Sequence, residues 1–366
     1  MKKRVGIDAR LINQTGVGTY TRNLLHFISE LESDDIEFFI YLMKNDIDEY
    51  EWKDPNFIKR STNSRWHSFQ EQVFFWHQLV ADNLDLMHFT YFSYPLLYRK
   101  PYIATIHDLT PLYFKTGRAS TKNPLIYNIK YAGLTNTLTR QIHNAKAIIT
   151  PTRYVKKQIT QHFGEILSDK IETIYEGVDY ELMKTAPNMS LLQKYGNNFF
   201  IYVGNFYPHK NVQSLIKAFS RIKGDEKLIL VGPKDYFFTY IVPYITHLKQ
   251  TNRIFFFNNP TRADSAFFYS HAKALIHPSL SEGFGLPIAE AIYFNLPIIA
   301  SNIPVFKEIL ENHYISFNPI SVDEITNAIN FFLKTDKTET SYENILSKLS
   351  FERMAEKTLE LYKINL

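Results

Sequence analysis

The stretch Ser281-Glu282-Gly283-Phe284-Gly285-Leu286-Pro287-Ile288-Ala289-Glu290-Ala291 is the most informative part of this chain. Its two glycines disfavour a helix, whereas its proline suits a first helical position, so the pattern predicts a loop that ends in a helix N-terminus. Glu282 is then expected in the loop and Glu290 in the first turn of the helix. Because backbone N–H groups at a helix N-terminus favour anions, the corner suits a phosphate or sugar oxygens. A purely structural corner is the alternative, with Glu290 present only to complement the helix dipole.

Apolar segments flank this corner on both sides. Residues 274–279 form a short apolar run that ends just before Glu282, and residues 296–301 form another after the predicted helix. The order of strand, polar loop, helix and strand is that of a βαβ unit. Its polar loop lies at the carboxyl end of a strand, which is where parallel sheets bind their ligands. Two carboxylates at such a corner suit a sugar nucleotide.

The same alternation of strands and helices continues through both halves of the chain, which predicts two parallel sheets covered by helices. The strands predicted in the first half are 5–7, 37–43, 86–89, 102–106, 147–150 and 170–175. Those predicted in the second half are 199–203, 227–231, 253–257, 273–277, 297–300 and 313–317. A hinge is predicted within 180–198, where the periodicity is weak and Pro187 interrupts it. The closing segment 351–362 has a helical pattern.

Length and composition exclude several classes of protein. A chain of 366 residues with 45% hydrophobic and 21% charged residues predicts a globular protein of two domains. No apolar run is long enough to span a bilayer, and the first residues lack the apolar core of a signal peptide, so we expect a cytosolic protein. Because the chain has no cysteine, disulfides, thiol nucleophiles and cysteine metal sites are excluded.

Positive charge is concentrated in one segment, although the net charge is only +4. No acidic residue lies between Asp108 and Glu165. The basic residues in this segment are Lys115, Arg118, Lys122, Lys130, Arg140, Lys146, Arg153, Lys156 and Lys157. Either the block 109–164 is a solvated surface, or it contacts an anionic membrane leaflet or a lipid-pyrophosphate acceptor. We expect no nucleic-acid partner, since no motif for one accompanies the charge.

The spacing from Glu282 to Glu290 resembles the E-x7-E signature of retaining glycosyltransferases, specifically of glycosyltransferase family 4. Further segments fall where that family places its motifs, in the same order. They are residues 6–10 (GIDAR), 15–20 (TGVGTY), 106–109 (IHDL), 202–205 (YVGN), 209–211 (HKN) and 230–233 (LVGP). The resemblance implies the GT-B fold, in which two Rossmann-like parallel-sheet domains face each other across a cleft.

For this chain the resemblance implies an acceptor-binding domain at residues 1–185, joined by a C-terminal helix at 352–366. It also implies a nucleotide-sugar-binding domain at residues 196–351. The catalytic residues carried over from the motifs are Glu282, Lys210 and His107. The donor-binding residues carried over are Gly16, Gly18, Asn205, His209, Lys210, Gly283, Phe284, Gly285, Leu286 and Glu290.

Each of these roles has a chemical reason. Breaking the bond between sugar and diphosphate builds negative charge, which the cation of Lys210 is expected to stabilise. Glu290 is expected to accept from the ribose hydroxyls and Glu282 from hydroxyls of the donor sugar. His107 is expected to contact the transferred sugar. Asn205 departs from the family pattern, because the family often has an arginine there and a neutral amide cannot pair a phosphate in the same bidentate way.

The resemblance therefore predicts a retaining hexosyltransferase that needs no metal or cofactor. Mannose from GDP-mannose is the first choice of donor, and a saccharide, expected to be lipid-linked, is the acceptor. The expected product is an O-antigen, capsule or other surface polysaccharide. UDP-sugar-dependent transferases remain an alternative, as do a phosphorylase or epimerase of the same architecture and a non-catalytic scaffold subunit. Peripheral contact with the anionic inner leaflet of the membrane is a further expectation.

Overall fold

A computed structural model describes residues 2–114, 124–335 and 341–366, which divide into two compact units. The described residues of the first unit are 2–112, 124–177 and 350–366. Those of the second unit are 113–114, 178–335 and 341–349. Of the sequence-based boundaries at residues 185, 196 and 351, only the last lies close to a division; the other two lie after the division that follows Gly177.

The first unit contains a parallel sheet of seven strands in the order β3-β2-β1-β4-β5-β6-β7. The strands are β1 (Lys3–Asp8), β2 (Ile36–Met43), β3 (Phe57–Thr62), β4 (Leu86–Phe89), β5 (Tyr102–Thr105), β6 (Ala147–Thr150) and β7 (Ile171–Thr173). Its helices before residue 178 are α1 (Val17–Ile28), α2 (Trp76–Ala81), α3 (Thr110–Tyr113), α4 (Pro124–Asn144) and α5 (Arg153–Phe163). A π-helical turn, Glu71–Phe75, leads into α2.

Strand β3 is absent from the sequence prediction, which has six strands in this half. It lies at the edge of the sheet and pairs only with β2. Four of the six residues in its sequence, FIKRST, are polar, and most of the strand is only partly buried. Because an edge strand needs no continuous apolar run, its composition does not distinguish it from a loop.

The second unit contains a parallel sheet of six strands in the order β10-β9-β8-β11-β12-β13. The strands are β8 (Phe199–Val203), β9 (Lys227–Gly232), β10 (Ile254–Asn258), β11 (Leu275–His277), β12 (Ile298–Ser301) and β13 (Ile315–Phe317). The helices are α6 (Tyr180–Lys184), α7 (Ser190–Tyr195), α8 (Val212–Phe219), α9 (Phe238–His247), α10 (Arg262–His271), α11 (Leu286–Tyr293), α12 (Pro304–Leu310), α13 (Val322–Lys334) and α14 (Glu343–Leu346). All six strands were predicted from the sequence.

The last helix, α15 (Phe351–Asn365), packs against α1 in the first unit. The Tyr362 hydroxyl lies 2.6 Å from Nδ1 of the buried His88 on β4. The chain passes closely here, because a Cβ atom on Gly177 would lie 2.4 Å from the backbone nitrogen of Phe351. The fold therefore requires glycine at position 177.

Both sheets reverse their strand order at one point, between β1 and β4 in the first unit and between β8 and β11 in the second. Loops diverge at such a point and leave a crevice at the carboxyl ends of the strands, where ligands bind in this class of sheet. Two Rossmann-like parallel sheets confirm the predicted α/β class. The reversal in the second unit lies between the strands that precede Lys210 and Glu282.

Candidate functional site

The side chain of Glu282 lies at the centre of a buried cluster after β11. The residue is only 8% exposed, and three donors converge on its Oε1 atom. They are Lys210 Nζ at 2.6 Å, Ser279 Oγ at 2.7 Å and His277 Nε2 at 3.0 Å. The second carboxylate oxygen, Oε2, receives no hydrogen bond from any residue that the structure describes. One oxygen is thus held in place, and the other remains available as an acceptor.

Charge and burial decide the protonation of this cluster. Burial alone would raise the pKa of Glu282, but the charge of Lys210 and the hydrogen bond from His277 outweigh it and hold that pKa well below its usual range. Burial lowers the pKa of His277, more than its hydrogen bond to Glu282 raises it. At neutral pH the cluster therefore contains an ionised glutamate and a neutral histidine that donates through Nε2.

The backbone corner after Glu282 is built as the glycines predict. Gly285 is the N-cap of α11 and adopts a left-handed conformation with φ of 93°. Its Cβ position would lie 2.9 Å from the Phe306 ring, so a larger residue would also collide there. Gly283, Phe284 and Gly285 are buried.

Glu290 lies one residue further along α11 than the sequence predicts. The helix begins at Leu286 and Pro287 is its second residue, so Glu290 is in the second turn and the predicted first-turn position is wrong. The reason is that Gly285 itself caps the helix. Glu290 Oε2 accepts a hydrogen bond from the Tyr269 hydroxyl at 2.5 Å. Burial raises the pKa of Glu290 to about 7, although the bond from Tyr269 lowers it.

This shift predicts a pH-dependent stability of the second unit. A carboxyl whose folded-state pKa is raised from 4.5 to about 7 stabilises the fold below pH 4.5, and the contribution is lost as the pH rises through 7. Glu290→Gln removes the titration. When the pH rises from about 5 to about 8, we expect the unfolding free energy of the parent protein to fall by about 2 kcal/mol more than that of the variant. Urea unfolding at both pH values measures this, and equal losses in the two proteins would contradict it.

Lys210 reaches Glu282 from the loop after β8, where it ends the short 3₁₀ turn Pro208–Lys210. The next residue, Asn211, is left-handed, and its Nδ2 donates to the carbonyls of Pro278 at 3.1 Å and Pro319 at 2.7 Å. The Leu280 N–H donates to the His209 carbonyl at 2.7 Å. The loops after β8 and β11 are therefore joined through their backbones.

Asn205, which departs from the family pattern, stabilises its own loop. Its Oδ1 accepts from the Tyr207 N–H at 3.4 Å, and its carbonyl accepts from the Tyr202 hydroxyl at 2.5 Å. The His209 ring packs between the rings of Tyr207 and Phe114. Contact of Asn205 or His209 with a phosphate stays a prediction.

The predicted catalytic histidine of the first unit, His107, follows β5 and is held at both ring nitrogens. Nδ1 lies 3.0 Å from Glu176 Oε1, and Nε2 lies 3.0 Å from the Thr90 carbonyl. Burial alone would lower the pKa of His107, but the hydrogen bond and charge of Glu176 outweigh it and raise that pKa. Both neighbours are acceptors, so the ring can donate from both nitrogens when it is protonated. Its contact with a transferred sugar stays a prediction.

Gly16 and Gly18, predicted to allow a close approach of backbone to diphosphate, differ in their surroundings. Gly16 is exposed and is the N-cap of α1 with φ of 61°. Gly18 is buried, and a Cβ there would lie 2.4 Å from the Ile12 carbonyl oxygen. The close approach that the structure describes at Gly18 is therefore to the protein's own backbone. Diphosphate binding at either glycine stays a prediction.

A second buried charge cluster lies at the carboxyl end of β1. Arg10 is 1% exposed, and its guanidinium bonds both oxygens of Asp8, at 2.8 and 2.7 Å, and Glu71 Oε1 at 2.7 Å. It also donates to the Ser64 carbonyl at 2.9 Å and lies 3.9 Å from the centroid of the Phe75 ring. This cluster joins β1, the loop after β3 and the π-helical turn.

The residues that sequence reasoning missed are partners of the predicted ones. His277 and Ser279 hold Glu282, Tyr269 holds Glu290, and Glu176 holds His107. Three of these four follow or end parallel strands, as ligand-binding residues do in such sheets. Their position at strand ends could therefore have identified three of these residues from the sequence. Tyr269 lies within a helix, and no sequence pattern marks it.

The basic segment lies only partly within the described residues, since Lys115, Arg118 and Lys122 fall outside them. Lys146 and Lys156 donate to the carbonyls of Asn365 and Ile171, both at 2.7 Å. The exposed members in the described part are Lys130, Arg140, Lys146, Arg153 and Lys157.

Two family profiles match nearly the whole chain in succession. The profile described as Glycosyltransferase Family 4 matches residues 15–182, and that described as Glycosyl transferases group 1 matches residues 189–346. The chain belongs to glycosyltransferase family 4 and has the GT-B fold. Family membership confirms the resemblance that the motifs indicated.

Similar proteins include bacterial mannosyltransferases. The O-antigen chain mannosyltransferase RfbU of Salmonella typhimurium is 28% identical over 273 residues, which cover 74% of this chain and 71% of that protein. The O-antigen chain mannosyltransferase B of Escherichia coli is 25% identical, covering 72% of this chain and 70% of its own. The crystal structure of Anabaena Alr3699/HepE in complex with UDP and glucose matches in fold, with a TM-score of 0.77 at 18% identity over 99% of both chains.

The described residues contain neither a membrane-spanning helix nor a cluster of metal-ligating side chains. Within residues 2–114, 124–335 and 341–366, no helix is long and apolar enough to cross a membrane. The same residues contain no group of three or more histidine, cysteine, aspartate or glutamate side chains placed to hold a metal ion.

Proposed function

We propose that this glycosyltransferase is a retaining hexosyltransferase that transfers mannose from GDP-mannose to a saccharide acceptor during O-antigen or other surface-polysaccharide synthesis. The observation that carries the donor site is the Glu282 cluster, in which an ionised carboxylate has one oxygen held by three donors and the other open. An open, charged acceptor beside a lysine suits a sugar hydroxyl next to a diphosphate. The choice of mannose is supported by the names of the relatives, RfbU and mannosyltransferase B.

In the proposed reaction, the bond between the anomeric carbon and the phosphate oxygen breaks, and a bond to the acceptor oxygen forms on the same face of the sugar. The acceptor's proton passes to the leaving phosphate, whose negative charge Lys210 stabilises. Glu282 is a poor candidate for a covalent nucleophile. Its low pKa and its three hydrogen bonds reduce the basicity of the carboxylate. Lys210 supplies the positive charge, so the proposal includes no metal.

A UDP-sugar donor is the second candidate. The likeness to the HepE structure supports only the shared fold. The donor base is decided by contacts outside the Glu282 cluster.

The acceptor is proposed to be lipid-linked, with the enzyme in peripheral contact with an anionic inner leaflet. The exposed Lys130, Arg140, Arg153 and Lys157 support this contact, because basic side chains at a surface are attracted to anionic lipids. Retention on vesicles of phosphatidylglycerol but not of phosphatidylcholine would support it, and equal retention on both would contradict it.

The donor assignment predicts a selective rise in melting temperature with one nucleotide sugar. A ligand that binds only the folded state stabilises it by about 2.7 kcal/mol at a hundred times its Kd. We expect GDP-mannose to give the largest shift among GDP-, UDP-, dTDP- and ADP-sugars, with the same shift in Mg²⁺ and in EDTA. A larger shift with a UDP-sugar would reassign the donor. No shift with any of them would favour the scaffold alternative, and a shift abolished by EDTA would contradict metal independence.

A further inference from the structure

If the proposed function is correct, the ammonium group of Lys210 must interact with two anions, Glu282 and the leaving diphosphate. Its Nζ lies 2.6 Å from Glu282 Oε1. The proposed reaction requires the same ammonium group to stabilise the leaving diphosphate. A lysine side chain is flexible and its ammonium is a point charge, so it can turn from one anion to the other. Glu282 would then lose its nearest cation while it must still hold the donor sugar.

We propose that His277 is a positioning residue, which together with Ser279 holds Glu282 Oε1 in place when Lys210 turns toward the diphosphate, so that Oε2 stays directed to a hydroxyl of the donor sugar. This inference rests on the proposed function, because it assigns a donor sugar to Glu282. His277 itself touches neither sugar nor phosphate in this arrangement. It acts through the hydrogen bond from its Nε2 to Glu282, at 3.0 Å.

The fixed geometry of the His277 ring supports this role. His277 ends β11, a central strand, and is fully buried. Its ring is stacked on Tyr202 with centroids 6.0 Å apart and meets the edge of Phe306 at 5.4 Å. A ring packed between two others in a strand cannot follow a moving ligand, in contrast to the side chain of Lys210. The cluster thus combines a rigid donor with a movable one.

A purely structural role does not explain why this residue is a histidine. His277 Nδ1 is buried and finds no hydrogen-bond partner among the described residues. An unsatisfied buried polar atom is unfavourable. A phenylalanine would fill the space between the two aromatic rings without burying such an atom. The polar group that the ring does use is the Nε2–H directed at Glu282. We therefore attribute the histidine to its effect on Glu282.

The test compares His277→Phe, which keeps the ring and removes the donor, with His277→Gln, whose amide N–H can replace Nε2–H. The control is His271→Gln, at the end of α10, outside the Glu282 cluster. Calorimetry measures the affinities of GDP-mannose and GDP, and of UDP-glucose and UDP. The ratio of nucleotide sugar to nucleotide isolates the sugar contact. A melting curve of each variant confirms that it is folded.

We expect His277→Phe to lower the affinity for the nucleotide sugar about 10- to 100-fold, the range of one hydrogen bond to a charged group, and to change the affinity for the nucleotide alone less than about 3-fold. His277→Gln should restore most of the difference, and His271→Gln should match the parent protein. An unchanged ratio in His277→Phe, or an equal loss for both ligands, would overturn the positioning role. If the parent protein binds neither pair of ligands, the proposed function fails and the inference fails with it.

Discussion

Replacing Glu282 with glutamine is expected to lower the rate of sugar transfer at least about a hundredfold. The amide preserves the shape of the side chain and one acceptor oxygen, but it removes the charge on which Lys210, Ser279 and His277 converge. A neutral amide is also a weaker acceptor for a hydroxyl of the donor sugar. Release of GDP from GDP-mannose, with a membrane extract as the source of acceptor, measures the effect.

Glutamine is a better test than alanine, although Glu282→Ala is the simpler change. The sequence alone predicts that the alanine variant loses activity and keeps its fold. The structure adds that alanine would leave the largely buried Lys210 without its counter-charge, which is strongly destabilising for a buried pair. The parent protein and Glu282→Gln should therefore be compared at matched folded fractions, determined from their melting curves. A Glu282→Gln variant with full activity would remove Glu282 from the donor site.

Replacing Arg10 with methionine is expected to cost about 3–5 kcal/mol in unfolding free energy, because it leaves two buried carboxylates without their cation. The guanidinium bonds Asp8 and Glu71, both at most 2% exposed, and the Ser64 carbonyl. Methionine fills similar volume, so the loss reports the charge network more than a cavity. Urea unfolding followed by circular dichroism measures it.

Two further variants define the scale of the Arg10 effect. Arg10→Lys keeps the charge but not the planar fork that reaches several acceptors, so we expect an intermediate loss. Arg221→Met breaks the exposed pair with Asp323 and is expected to cost at most about 1 kcal/mol. If Arg10→Met costs no more than Arg221→Met, the buried network does not stabilise the first unit.

Local sequence patterns determined the architecture and the location of the donor corner. Apolar runs separated by helical periodicity predicted all six strands of the second sheet, because a strand buried on both faces needs a continuous apolar segment. The corner at residues 281–291 was predicted for a similarly local reason. Gly285 permits the left-handed backbone of the corner, and Pro287 fixes its own φ, whatever surrounds them.

Tertiary structure decided which side chains act together, since these contacts join residues far apart in the chain. Lys210 and Glu282 are 72 positions apart, and Arg10 and Glu71 are 61 positions apart. Strand β3 exists because β2 offers it an edge, not because its own sequence is apolar. The protonation of Glu282 and Glu290 likewise depends on burial and on partners that only folding supplies. A sequence pattern constrains local backbone conformation, whereas charge, hydrogen bonding and burial at a site depend on distances that the assembled sheets create.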